Sequence, residues 1–313
     1  MSKGTILVTG ANGGLGSAIV QNIISTPDLA SNYAGIYAVR KAATAMTLQG
    51  VLRRAPLDHR HETVEIDLGS LASVRKTAAD INARVAKGDL PKIRALILNA
   101  GYSDYANLDG RVLFVSSWSH DIDDPRNDVM MGAYKDTGYP TLFPGAEVLA
   151  KGQWSRPEDD PGINSGFRRY GASKLCAMML CEELADRIAK DPKLNNISVV
   201  SLSPGTMPTS FGRRAGFLIG VVATRVIMPV LSEMSVRFSP NGMLRPSWKS
   251  AADVIRACFD IEAYKGEALH LDGTASLQIA KDAKDEAKRK ELWEYGLGAA
   301  KMDEGDTALV EWT

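Results

Sequence analysis

An apolar run from Thr5 to Thr9 leads straight into Gly10-Ala11-Asn12-Gly13-Gly14-Leu15-Gly16, and a helical pattern from Leu15 to Ser25 follows at once. Few residue orders restrict a chain so strongly. Glycines permit a tight turn and a close backbone approach to a ligand, while the first turn of a helix directs unsatisfied N–H groups and a partial positive charge at whatever sits there. A pyrophosphate suits such a place, so Gly10, Asn12, Gly14, Leu15 and Gly16 are candidate dinucleotide-binding residues. A turn with no ligand is the alternative, and the strand before it and helix after it speak against that.

The rest of the first half repeats the rhythm of strand and helix. Strand-like runs cover Gly35 to Arg40, Thr63 to Ile66 and Ala95 to Leu98, with a helix from Leu71 to Lys87 among them. Further strands are expected at Val112 to Val115, Ile197 to Leu202 and Glu267 to Leu271, and helices at Tyr170 to Lys190 and Ser250 to Cys258. The strands are rich in β-branched residues and do not alternate, as parallel strands covered on both sides require. The expected fold class is therefore α/β: a Rossmann-like, doubly wound parallel sheet with helices on both faces. With 313 residues and 45% apolar composition, one domain over 1–279 is predicted, followed by a C-terminal helix and tail over 280–313.

Within that domain, residues 118–169 read as a long loop insertion, because five prolines and nine acids fall there. Solvated decoration is one reading of it, and a wall of a substrate pocket the other. Residues 206–247 read as a substrate lid. Its apolar stretch from Ala215 to Leu231 is interrupted by Arg225 and Pro229, too short and polar for a membrane span, although a membrane-touching patch remains the alternative. The charges cancel at 37 basic and 37 acidic residues, which implies neither nucleic acid nor an anionic membrane as partner. Cys176, Cys181 and Cys258 are scattered, and His59, His61, His120 and His270 form no ligand pattern, so reduced thiols and no metal are expected. The first strand begins almost at Met1 with no leader-like segment before it, which suggests the cytoplasm.

The second strand ends in Ala38-Val39-Arg40-Lys41, where an NAD site of this design places a carboxylate for the adenosine ribose. Arg40 suits a 2′-phosphate instead, which predicts NADP(H), unless Arg40 and Lys41 merely point into water. Asp67-Leu68, Asn99-Ala100-Gly101, Ser116-Ser117, Tyr170-Gly171-Ala172-Ser173-Lys174 and Pro204-Gly205 with Thr209 then follow in order. In these marks, over roughly residues 4 to 275, the chain resembles the short-chain dehydrogenase/reductase family. The resemblance implies that Asp67 contacts the adenine and that Asn99 and Gly101 line the cofactor and brace the sheet. It sets Pro204, Gly205 and Thr209 beside the nicotinamide. Lys174 would hold the nicotinamide ribose, next to Tyr170.

Tyr170 and Lys174 are four apart on a predicted helix, hence on one face. A tyrosine titrates near pH 10, and a fixed ammonium nearby favours its phenolate, which brings it toward acid/base use. Ser117 would hydrogen-bond the substrate oxygen and Tyr170 would pass the proton, so Tyr170, Lys174 and Ser117 are the candidate catalytic residues. The reaction implied is carbonyl–alcohol interconversion on a small, fairly apolar molecule by hydride transfer. Residues 118 to 169 also look like filamentous-fungal reductases, many of which serve secondary metabolism.

One departure stands out. Between the Asn99-Ala100-Gly101 turn and the strand ending in Ser117 the family has a long helix carrying a fourth catalytic residue, an asparagine. Only nine residues, Tyr102 to Gly110, stand in its place. A crossover between neighbouring parallel strands takes about a dozen or more. An internal deletion or missed exon, a rearranged sheet, or a partner that fills the gap would each explain it. The usual family homodimer is built partly on that helix and so is not carried over. Two other functions stay open: a catalytically impaired dinucleotide-binding protein, and an extended-type epimerase or dehydratase, against which the Asn99 turn and the Pro204 segment speak.

Overall fold

The computed structural model describes residues 2–99, 110–129, 132–134, 138–208, 227–261, 266–303 and 307–313. In chain order the elements begin with β1 (Gly4–Thr9), α1 (Gly14–Ser25), α2 (Pro27–Asn32), β2 (Tyr33–Val39), α3 (Met46–Leu52), β3 (His61–Glu65), α4 (Leu71–Lys87), β4 (Ile93–Leu98) and β5 (Arg111–Val115). They continue with α5 (Arg126–Val129), α6 (Ala146–Ala150), α7 (Ile163–Lys190), β6 (Ser198–Ser203), α8 (Met228–Phe238) and α9 (Ser247–Phe259). The last are β7 (Leu269–Asp272), β8 (Ala275–Ser276), α10 (Lys281–Lys284) and α11 (Glu286–Ala300). The chain forms two compact units, one mainly residues 1–115 and 204–262, the other mainly 116–203 and 276–313.

In the first unit five strands pair in parallel in the order β3-β2-β1-β4-β5. The order reverses between β1 and β4, and in such sheets a ligand crevice opens beyond the carboxyl ends of the two strands at that point. Leu7 packs with Ile36, Ile81 and Val85, so α4 covers one face of the sheet. Alternation sends Ile6 and Val8 to the opposite face, where both are fully buried. Helices α1 and α9 pack together and bury Ile19, Ile23, Val254 and Ala257 completely. Both faces of the sheet are thus closed, and the doubly wound α/β reading holds.

Strands β4 and β5 are paired neighbours although only twelve residues separate Leu98 from Arg111. Residues 102–109, where the family's crossover helix would fall, lie outside the described residues. Arg111 at the start of β5 is held by the carbonyls of Ala257 at 2.5 Å and Ile261 at 2.7 Å.

In the second unit several described residues of the stretch 118–169 are buried. Tyr134, Leu142, Phe143 and Trp154 are buried in one cluster with Ala172, Leu175, Met178 and Met179 of α7 and with Ile279, Ala280 and Ala283. Averaged composition hid these few large residues among the prolines and acids. At the centre sits Arg168, 0% exposed. Its guanidinium donates to Ser155 Oγ at 2.8 Å, to the Ala133 carbonyl at 3.0 Å and to Asp160, and lies over the Tyr139 ring. A buried cation is tolerable only with such a full set of acceptors. At the other end of α7, Arg187 donates to the carbonyl of Glu311 at 2.6 Å, and Trp293 to that of Trp312 at 2.7 Å, so the last residues are tied down.

Two buried histidines are held neutral. His59 Nδ1 meets the Ala30 carbonyl at 2.8 Å and its Nε2 takes the Tyr37 hydroxyl at 2.9 Å. His120 Nδ1 donates to the Ser117 carbonyl at 2.7 Å, and its Nε2 accepts the Ala280 N–H at 3.2 Å. A carbonyl can only accept and an N–H only donate, so the His120 tautomer is fixed. Burial lowers both groups below the ordinary 6.5.

Arg168→Ala strands Asp160 and Ser155 and opens a cavity, and is expected to lower unfolding stability by about 3 kcal/mol, read from urea melts. For the histidines the sign follows from linkage. A folded-state value below 6.5 means the unfolded chain binds more protons in the interval between the two, so their contribution is complete above pH 6.5 and is lost as pH falls through the folded value. Thermal scans should show the melting temperature dropping below pH 6.5, with a smaller drop in His120→Gln. An equal drop in that variant would remove His120 from this account.

Candidate active site

The glycine turn takes the shape its sequence implies. Gly10 adopts a φ of 64°, a left-handed conformation that a side chain disfavours. A Cβ at Gly16 would run into the Gly10 carbonyl and come within 2.9 Å of Asn99 Nδ2, so α1 can start this close to β1 only with glycine there. Asn99 donates to the carbonyls of Thr9 at 3.0 Å and Gly10 at 3.2 Å, and so bridges the ends of β4 and β1. Asn12 turns toward α3 and accepts the Leu48 N–H at 3.0 Å. At the N-terminus of α1, Gly13 supplies no side-chain cap and the first turn contains no acid, which leaves Gly14, Leu15 and Gly16 to present N–H groups to an anion. This cradle fits a dinucleotide pyrophosphate.

Arg40 follows β2 with 79% of its side chain exposed, 3.8 Å from Asp67. An ion pair that exposed is weak, so the guanidinium can be recruited by a stronger anion. Asp67 also closes a turn of its own by accepting the Gly69 N–H at 3.0 Å. Further along the same unit, the Pro204 carbonyl accepts Ser250 Oγ at 2.7 Å and Gly205 takes a φ of 76°. A side chain at Gly205 would press on Arg245, the fully buried residue beneath it. Gly101 and Thr209 lie outside the described residues, as do residues 209–226 of the expected lid.

The second unit assembles Ser117, Tyr170 and Lys174. Chain alternation at the end of β5 separates the two serines. Ser116 is buried and directs its hydroxyl at Met178 Sδ, 2.9 Å away, whereas Ser117 is half-buried and stands beside Tyr170. Helix α7 carries Tyr170 and, one turn later, Lys174, whose Nζ lies 5.7 Å from the centre of the Tyr170 ring. Gly171 lets this helix come close. A Cβ there would strike the Tyr134 hydroxyl and approach the Ser119 carbonyl to 2.7 Å.

Burial sets the electrostatics. It pushes the Tyr170 phenol up, against a downward pull from the Ser117 hydrogen bond, and it pushes the Lys174 amine down. Sequence spacing predicts that the ammonium brings the phenol down, but removal from water acts on both groups and favours their uncharged forms. Tyr170 is therefore a protonated donor at neutral pH. Such a group can hand a proton to an oxygen that gains charge.

Sequence reasoning missed three contributors: Ser119, His120 and Tyr134, which surround the turn after Ser117. The adjacent Ser-Trp-Ser-His spelling carries no general signal for them. It also missed a chain from Ser201 Oγ to His270 Nδ1 at 2.7 Å and from His270 Nε2 to Glu182 at 2.6 Å. That order of groups suggests a hydrolytic triad, yet Ser201 is 0% exposed within β6 and out of reach of any substrate carbonyl. The thiols are equally quiet, since burial drives Cys176 and Cys258 up to about 12.

No family model matches the chain. The short-chain dehydrogenase iccH of Talaromyces variabilis is 39% identical to it over 362 aligned positions, which take in 99% of each protein. An alignment of that length over a chain of 313 residues leaves about fifty positions of the relative without a counterpart here. Among solved structures, L-sorbose reductase from Gluconobacter frateurii with NADPH and L-sorbose matches 88% of this chain and 97% of its own at a TM-score of 0.51 and 14% identity. An NADPH-bound short-chain oxidoreductase of Pseudomonas aeruginosa matches 89% of this chain and 99% of its own, also at a TM-score of 0.51 and 14% identity. Those two likenesses concern the fold. Full-length similarity to the Talaromyces enzyme, on top of a glycine turn at the sheet's switch point and a Ser/Tyr/Lys cluster, makes this chain a member of the short-chain dehydrogenase/reductase family.

Proposed function

We propose that the protein is an NADP(H)-dependent oxidoreductase that interconverts a carbonyl and an alcohol on a small, fairly apolar molecule. Ser117 beside the Tyr170 phenol, one helical turn from Lys174, carries this reading. Bound NADPH supplies the hydride. The glycine turn would hold its pyrophosphate, and Arg40 its 2′-phosphate, for which an exposed guanidinium beside a weakly paired carboxylate is suited. Structural relatives solved with NADPH support the choice of cofactor.

Tyr170 donates its proton to the substrate oxygen as charge develops there. Ser117 hydrogen-bonds that oxygen as the charge develops. Lys174 is assigned to the nicotinamide ribose, with Asn99, Gly101, Pro204, Gly205 and Thr209 around the cofactor. Residues 206–247 serve as lid. Ile227, Val230, Leu231, Met234 and Phe238 on and before α8 are exposed, which favours an apolar substrate. Three unpaired thiols suit a reducing compartment, the cytoplasm. A role in secondary metabolism fits the resemblance to fungal reductases.

A second reading has its own support. The short connection from β4 to β5, and the fifty or so positions that the Talaromyces relative has in addition, favour a dinucleotide-binding protein with impaired turnover through an internal deletion. Calorimetry decides between the two: NADPH binding with no oxidation across a panel of ketones and quinones would select the impaired protein.

Removing the phenol with Tyr170→Phe should cut ketone reduction by about 10²- to 10⁴-fold and leave NADPH affinity intact. A full rate in that variant would end the proposal. Because burial holds the phenol protonated, reduction should stay level through neutral pH and fall only at strongly alkaline pH, the reverse of alcohol oxidation. Arg40→Ala should weaken NADPH about 10- to 100-fold and NADH little, measured by fluorescence titration. Equal weakening of both would release Arg40 from the 2′-phosphate.

A further inference from the structure

The turn that follows Ser117 is built more firmly than a connection requires. Ser117 caps the short 3-10 turn Trp118–His120, and its Oγ accepts the Ser119 N–H at 3.3 Å. The same oxygen lies 2.9 Å from Ser119 Oγ. Its carbonyl takes both the His120 N–H at 3.1 Å and His120 Nδ1 at 2.7 Å. The Ser119 carbonyl in turn accepts the Tyr134 hydroxyl at 3.0 Å. Ser119 and His120 are both buried, which shields their side of these bonds from water.

A hydroxyl has one proton to give and two lone pairs to offer. If Ser119 donates to Ser117 through both its N–H and its O–H, the two lone pairs of Ser117 Oγ are taken. The single proton of Ser117 must then go to a third partner. Tyr170 stands beside Ser117, so the proton is left for the phenol oxygen or for a substrate oxygen bound there.

We propose that Ser119 is a positioning residue of this site: its hydroxyl occupies Ser117 Oγ so that the Ser117 proton is reserved for the oxygen at Tyr170. The inference rests on the reductase reading for its kinetic consequence and on the hydrogen-bond geometry alone for its structural one. The donors run in one direction, from Ser119 to Ser117 and from Ser117 toward the oxygen in front of it. His120 and Tyr134 hold the backbone of the turn so that Ser119 cannot swing away.

The test uses the full-length protein with Ser119→Ala, Ser119→Thr and, should the added methyl of threonine be refused, Ser119→Cys. Crystal structures should show one Ser117 rotamer facing Tyr170 in the wild type and in the threonine variant, and a turned or split rotamer in the alanine variant. With NADPH and a ketone, Ser119→Ala should lose about tenfold in kcat while its NADPH affinity and its far-ultraviolet circular dichroism are kept, and the threonine variant should recover the rate. An unchanged rotamer in Ser119→Ala overturns the inference, whatever the rate does. A turned rotamer with an unchanged rate overturns it too. Should the wild type turn over no carbonyl at all, the reductase reading falls, and the Ser117 rotamer still decides what Ser119 does.

Discussion

At position 171 any side chain would claim the space already held by the Tyr134 hydroxyl and the Ser119 carbonyl. This one exclusion fixes how near α7 can come to the turn after Ser117, and much of the second unit is arranged around it. With glycine there, the phenol of Tyr170 reaches the hydroxyl of Ser117. The 28-residue length of α7 then carries the same placement deep into the buried cluster formed with 118–169, where Ala172, Leu175, Met178 and Met179 pack. The site is precise because the helix that bears it is held along its length.

The glycine turn of the first unit is an example of the same constraint applied to a ligand. Gly10 and Gly16 face each other across a gap that admits no methyl, and Asn99 ties the two strands whose ends flank the crevice. Each of these contacts is local or joins neighbouring strand ends, so the residues that make them announce themselves by type and order. That is why α4 over Leu71–Lys87 was legible to the residue and why the βαβ succession was legible throughout the first half.

What could not be read depends on contacts distant in sequence. The stretch 118–169 looked polar because prolines and acids outnumber its aromatic residues, yet burial is decided by the partners Trp154 and Phe143 find on α7, which no local pattern encodes. Arg168 reads as a surface charge and is the opposite, since its acceptors come from Ala133, Ser155 and Asp160. In the same way, spacing placed Tyr170 and Lys174 on one face but could not weigh burial against their mutual attraction. The family's order of marks points to Ser117, and the physical ground for it, alternation that turns Ser116 inward to a methionine, comes only with the fold.

The fastening of residues 311–313 acts on α7 far from its proton donor. Arg187, which holds the Glu311 carbonyl, stands seventeen positions beyond Tyr170 on the same helix, about 25 Å along its axis. Loss of those contacts would strip cover from the far end of α7 while the proton donor kept its surroundings. The fastening of that end of the helix and the chemistry at Tyr170 are thus separable in this molecule.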